Sequence, residues 1–236
     1  MVMRLSPIEA ATAFIKTHFP TCDGAILAGS VVRGEYTSTS DLDIVVFDTS
    51  IQSSYRESLT AYEWPIEIFV HSFDSYKEFV KQDVERGRPS LPRMLAEGTP
   101  IIDHPQLSLI QEESRELLDA GPIEWSQQTI RIKRYFITDL IDDLIGSTKR
   151  AETIYITNTL VELLHEYILR TNNQWIGSSK WIDRSLRTFD EELADEFLRA
   201  MEEIYINNDK NCLITLAEKA LLPHGGFLFE GFSLGK

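Results

Sequence analysis

Asp41 and Asp43 flank Leu42 at the mouth of an apolar run, Ile44-Val45-Val46-Phe47. On a strand, side chains alternate between faces, so these two carboxylates point the same way. A pair so placed can hold a divalent cation, because hard cations prefer oxygen ligands. Upstream, Gly29-Ser30 closes a second apolar run, Gly24-Ala25-Ile26-Leu27-Ala28. A Gly-Ser turn offers what a triphosphate needs: backbone that can approach closely, N–H groups aimed outward and a hydroxyl donor. One short stretch therefore combines a phosphate cradle with half of a metal site. Between its two strands the sequence predicts a short helical turn and a polar loop.

The full stretch, Gly29-Ser30-Val31-Val32-Arg33-Gly34 followed by Ser40-Asp41-Leu42-Asp43-Ile44, resembles the signature of the DNA polymerase β-like nucleotidyltransferase superfamily. The firm resemblance spans roughly residues 24–70. It implies that Asp41 and Asp43 bridge two Mg²⁺ ions and that a third acidic residue follows on a downstream strand. Glu67, in the β-branched and aromatic run Ile66-Glu67-Ile68-Phe69-Val70, fits that place, with Glu63 and Asp48 as competitors. Glu67 would hold the metal nearest the acceptor, and Gly29 and Ser30 would contact the β- and γ-phosphates. Arg33 either reaches the same oxygens or pairs with Glu35 or Asp48. Ser40 either bonds a phosphate or caps the loop before Asp41.

Around this core the elements are legible from pattern. Ser6-Pro7-Ile8-Glu9 is a capping box opening a helix to about His18, with Ile8, Ala11, Phe14 and Ile15 expected inside. Ser54 to Tyr62 is open between strand and short helix, with strand favoured and Trp64-Pro65 expected to make the turn that follows. A helix from Asp74 or Ser75 to about Glu85, a second ending at Gly98, an edge strand at Thr99–Asp103 and a helix over 105–119 complete this half. Ala120-Gly121-Pro122 is the best boundary, giving a catalytic domain 1–121 and a helical domain 122–236. The fold class expected is α+β: a polymerase-β-like mixed sheet followed by an all-helical bundle.

The second half reads as helices over about 126–145, 149–170, from Ser178, from Asp190 and over 208–221, with an apolar tail that must pack on the body. On the first of these, Ile130, Arg131, Tyr135, Ile137, Leu140, Ile141 and Leu144 form a mostly apolar face. This two-part plan resembles the small-molecule nucleotidyltransferases that modify aminoglycoside and lincosamide antibiotics. The catalytic strands form only one wall and a transferase must exclude water, so a cleft between the halves is expected as the site. The resemblance also suggests a helical-domain lysine on the triphosphate, for which Lys180 in a first helical turn stands out against the helix dipole. Its alternative is a solvated surface lysine. The resemblance further implies a helical-domain glutamate as general base for the acceptor, for which Glu162 and Glu166 are the candidates; His165 between them has no metal partner at useful spacing.

Composition narrows the acceptor. The net charge is −14; residues 1–120 carry 10 basic and 19 acidic side chains, and residues 121–236 carry 13 and 18. Neither half has the basic surplus that phosphate-backbone binding needs, so a small molecule is favoured over nucleic acid. No apolar run spans a membrane and no leader pattern opens the chain, so a cytoplasmic setting with two inert thiols, Cys22 and Cys212, is expected. The leading expectation is transfer of AMP from ATP, or of another nucleotide, to a hydroxyl of a small acceptor. The rivals are a regulatory, antitoxin-like enzyme that adenylylates a protein, and a nucleotide-binding pseudoenzyme. The sequence is silent on oligomeric state.

Overall fold

In the computed structural model, which describes residues 4–235, the chain divides into two compact units, Met1–Gly121 and Pro122–Lys236. The first contains α1 (Pro7–His18), β1 (Gly24–Ala28), β2 (Leu42–Phe47), β3 (Tyr55–Ala61) and β4 (Trp64–His71). It continues through α2 (Tyr76–Glu85), α3 (Ser90–Glu97), β5 (Thr99–Ile102) and α4 (Pro105–Ala120). The strands form one mixed sheet in the order β3-β4-β2-β1-β5. β2 and β4 run parallel; every other neighbouring pair is antiparallel.

Strand alternation divides the core in two. Leu42, Ile44 and Val46 of β2 join Ile66, Ile68 and Val70 of β4 on the face covered by Ala10, Ala11, Phe14 and Ile15 of α1. Val45, Phe47 and Phe69 point the other way, toward Tyr76 of α2, Leu91 and Leu95 of α3, and Leu107 and Ile110 of α4. The Glu9 carboxylate accepts from the Ser6 N–H (3.1 Å) and hydroxyl (2.6 Å), which fixes the start of α1. Ile8, in the first turn, is exposed instead of buried. The expected edge strand is in place, with Pro100 where no outer neighbour asks for its missing N–H.

The β3–β4 turn differs from expectation. It is made by Tyr62 (φ 52°) and Glu63 (φ 62°), while Trp64 and Pro65 already belong to β4. Two successive positive φ values give a turn whose twist matches that of the flanking strands. Pro65 is tolerated because β2 pairs with β4 only from Ile66 onward.

The second unit is all helical: α5 (Gln127–Gly146), α6 (Arg150–Thr171), α7 (Trp181–Phe189), α8 (Glu191–Glu202) and α9 (Asn211–Leu221). Its core gathers Ile137, Ile141, Leu144, Leu160, Leu164, Tyr167, Phe197 and Leu213. A π-helical turn, Glu203–Asn207, extends α8, so the last long helix begins later than its pattern suggested. Arg131 and Tyr135 leave the apolar face of α5 to hold the tail. Arg131 donates to the Gly231 carbonyl, Arg134 to that of Gly226 at 2.8 Å, and Tyr135 stacks on Phe232 at 3.9 Å. Among the described residues no helix is long and apolar enough to cross a membrane.

Candidate active site

Asp43 and Glu67 are brought together by the parallel ladder. Asp43 is the register partner of Glu67 on β4 and of Ala28 on β1, so it sits at the end of β1 where the chain leaves the sheet. Asp41 stands just before β2 begins. Each of Asp41, Asp43 and Glu67 offers a carboxylate oxygen within 4.8 Å of the others. All three are half-buried, so they are reachable from solvent yet partly shielded from it. The flanking Ile66 and Ile68 are driven into the α1 side, which leaves Glu67 facing its partners.

Gly29 is fixed at this point for two reasons. Its φ is +81°, and a Cβ there would lie 2.2 Å from Asp43 Oδ2. Backbone and carboxylate therefore touch at a position where no side chain fits. From Ser30 the chain makes a wide turn, closed by the Glu35 N–H donating to the Ser30 carbonyl at 3.0 Å, with Gly34 at φ 72°. This single wide turn stands where a short helical turn is expected.

The charge state follows from this crowding. Burial first, then the Asp41 charge, then the Glu67 charge push the Asp43 carboxyl up from 3.8 to about 6. Arg56 and Arg33 work against the rise. The donor set of three converging carboxylates fits a hard divalent ion.

The remaining expected residues are placed as follows. Arg33 pairs with Glu35 (3.2 Å), one of its two expected partners, and with Glu97 (3.0 Å) in place of Asp48. Asp48 instead accepts from the Ser50 N–H and hydroxyl, and Glu63 is exposed in the hairpin turn, so neither competitor joins the cluster. Ser40 Oγ accepts from the Thr37 N–H at 2.9 Å, the loop-capping alternative, and lies 3.4 Å from Ser30 Oγ.

In the second unit Lys180 is the residue before α7, not in its first turn. The Ser178–Trp181 turn is tight: Ser179 has φ 52°, the Trp181 N–H donates to the Ser178 carbonyl at 3.0 Å, and a Cβ on Gly177 would lie 2.1 Å from the Trp181 oxygen. Glu166 forms an ion pair with Lys133 at 2.5 Å, whereas Glu162 is exposed on α6. His165 is buried, with its ring nitrogens 3.2 Å from the Val161 and Gly177 carbonyls.

One residue at the cluster escaped sequence reasoning. Arg56 on β3 donates from Nη2 to Glu67 Oε2 at 2.6 Å. Its signal exists only once the β3–β4 register is known, because the contact is diagonal: Arg56 lies opposite Phe69, and Ser58 opposite Glu67.

Residues 10–86 match the family model described as the nucleotidyltransferase domain. Among solved structures, the chain is similar to a nucleotidyltransferase-like protein from Exiguobacterium sibiricum 255-15, with 10% identity and a TM-score of 0.45. That match covers 92% of this chain and 73% of the other. No curated protein matches the chain. The fold is α+β, a mixed sheet with helices followed by a helical region, and Gly29, Ser30, Asp41, Asp43 and Glu67 all lie within the segment that matches the nucleotidyltransferase domain.

Proposed function

We propose that the chain is a divalent-metal-dependent enzyme that moves a nucleoside monophosphate, AMP from ATP, onto a hydroxyl of a small molecule, with hydroxylated antibiotics among the candidate acceptors. The observation that carries this reading is the convergence of Asp41, Asp43 and Glu67 beside a Gly29 that has no room for a side chain. In this reading residues 1–121 are the catalytic domain and residues 122–236 a helical domain. The acidic balance of both halves supports a small acceptor over a nucleic acid.

Asp41 and Asp43 would be shared by the metal ions, with Glu67 on the acceptor side. When bound, the metal supplies charge neutralisation at the transferred phosphoryl group and a more acidic attacking hydroxyl. The chain does the positioning. Gly29 lets the backbone approach the phosphates, and the Ser30 hydroxyl, held to Ser40 only by a long 3.4 Å contact, can turn to donate to a phosphate oxygen. Arg33 is tied by Glu35 and Glu97, so its part is to brace the Gly29–Gly34 turn, and phosphate contact would need those pairs to loosen. In this reading Lys180 would contact the triphosphate. Glu162 is the stronger candidate for the acceptor's base, because Glu166 is already engaged in an ion pair with Lys133.

The test is direct. Purified protein with Mg²⁺ and each nucleoside triphosphate is screened against hydroxylated small molecules for acceptor-dependent pyrophosphate release and a nucleotidylated product by mass. Transfer abolished by Asp43→Asn supports the reading. Efficient labelling of a protein or an RNA, with no small-molecule product, would move the function to that acceptor class.

A further inference from the structure

Three carboxylates held together need a counter-charge when no cation is bound, since an uncompensated charge in a shielded site is strongly unfavourable. Here a residue outside the Gly-Ser and Asp-Leu-Asp pattern provides it. Arg56 Nη2 and Glu67 Oε2 are 2.6 Å apart, a short charge-assisted hydrogen bond. The Arg56 guanidinium also lies 5.0 Å from the centre of the Phe69 ring. Apart from these contacts the arm is loosely kept: its side chain is 58% exposed, against 26% for Glu67, and β3 is an edge strand.

Resting on the metal-site reading of Asp41, Asp43 and Glu67, we propose that Arg56 is the placeholder of the metal-free site. Its guanidinium and a divalent cation compete for the Glu67 carboxylate. Arg56 therefore lowers the affinity for free metal and, once displaced, turns its donors to the phosphates of an arriving nucleotide. The chemistry supports both halves of this exchange. A guanidinium and a divalent ion a few ångströms apart repel even in high dielectric, by an amount on the order of a tenfold change in affinity. A planar fork of donors also suits phosphate oxygens as well as it suits a carboxylate. Among the described residues the arm has only an ion pair and a ring contact to give up, so the move requires no rearrangement of the sheet. The outcome is a site that discriminates against metal alone and favours metal that arrives with a nucleotide.

The experiment is an Mn²⁺ titration of the full chain without nucleotide, with free Mn²⁺ read by electron paramagnetic resonance. Arg56→Ala and Arg56→Gln are expected to bind Mn²⁺ about threefold to tenfold more tightly than the unaltered protein. With a non-hydrolysable ATP analogue present, that gain should vanish or reverse. Gln retains much of the arm's length and polarity, so agreement between the two variants separates the charge effect from a packing defect, and circular dichroism checks that both are folded. Unchanged or weaker Mn²⁺ binding in both variants overturns the proposal. Asp43→Asn serves as the reference: if it loses Mn²⁺ binding while the Arg56 variants match the unaltered protein, the placeholder role alone fails. If Asp43→Asn leaves Mn²⁺ binding intact, the metal-site reading fails with it.

Discussion

Replacing Asp43 by Asn should make the metal-free protein more stable at neutral pH while abolishing transfer. Asp43 titrates at about 6 in the fold against 3.8 unperturbed, so the folded state holds its proton more tightly than the unfolded chain does. Its contribution to stability is complete below about pH 4 and is lost as the pH rises through 6. The full loss is about 3 kcal/mol, at 1.36 kcal/mol per tenfold change in proton affinity. His71, in the same unit, works the opposite way. Burial pushes it from 6.5 down to about 4, so its contribution is complete above about pH 6.5 and is lost as the pH falls toward 4. The two terms oppose each other over nearly the same window. Asp43→Asn removes one of them. In EDTA, urea unfolding of the variant should match the unaltered protein at pH 4 and exceed it by up to about 3 kcal/mol at pH 7, with the His71 loss exposed in between. A variant less stable than the unaltered protein at pH 7, or an offset that is the same at both pH values, would refute this account of the site's electrostatics.

Three further outcomes are expected. Gly29→Ala combines a strained φ with a Cβ 2.2 Å from Asp43 Oδ2; it should lower stability by about 1–3 kcal/mol and reduce Mg²⁺-dependent transfer at least tenfold, read by unfolding and by pyrophosphate release. Tyr62→Asn with Glu63→Gly places the preferred residues in a two-residue turn of positive φ and should stabilise the first unit by about 1 kcal/mol in thermal melts without altering turnover. Lys180→Ala should weaken ATP·Mg²⁺ binding on the order of tenfold in calorimetry and leave the ligand-free melting temperature within a degree, because Lys180 is an exposed residue ahead of α7.

The parts of this molecule that declared themselves in the sequence were those written in local pattern. Alternation around Ile44 and Ile66, the Ser6–Glu9 capping box and the prolines at helix starts each rest on neighbours in the chain. Glu67 was legible because its isoleucine neighbours fix which face it takes, and the resemblance said that a third carboxylate was needed. What pattern could not carry was pairing between distant segments. Arg56 joins Glu67 only through a diagonal across β3 and β4, and Lys133 pairs with Glu166 only because α5 lies beside α6. The hairpin turn was missed for a different reason: Tyr62 and Glu63 are poor residues for positive φ, so tertiary pairing overrides local preference there, while Trp64-Pro65 carried the more familiar turn signal.

The parallel pairing of Asp43 with Glu67 makes the site digital. Side chains on a strand repeat every two residues, so a slip of β4 by one position would not loosen the cluster by degrees. It would carry Glu67 into the layer packed on α1 and bring Ile66 or Ile68 to Asp43. Burial of those two isoleucines is thus what keeps the carboxylates aligned, as a detent keeps a dial on its mark. The polar centre inherits its accuracy from greasy neighbours that never touch a substrate.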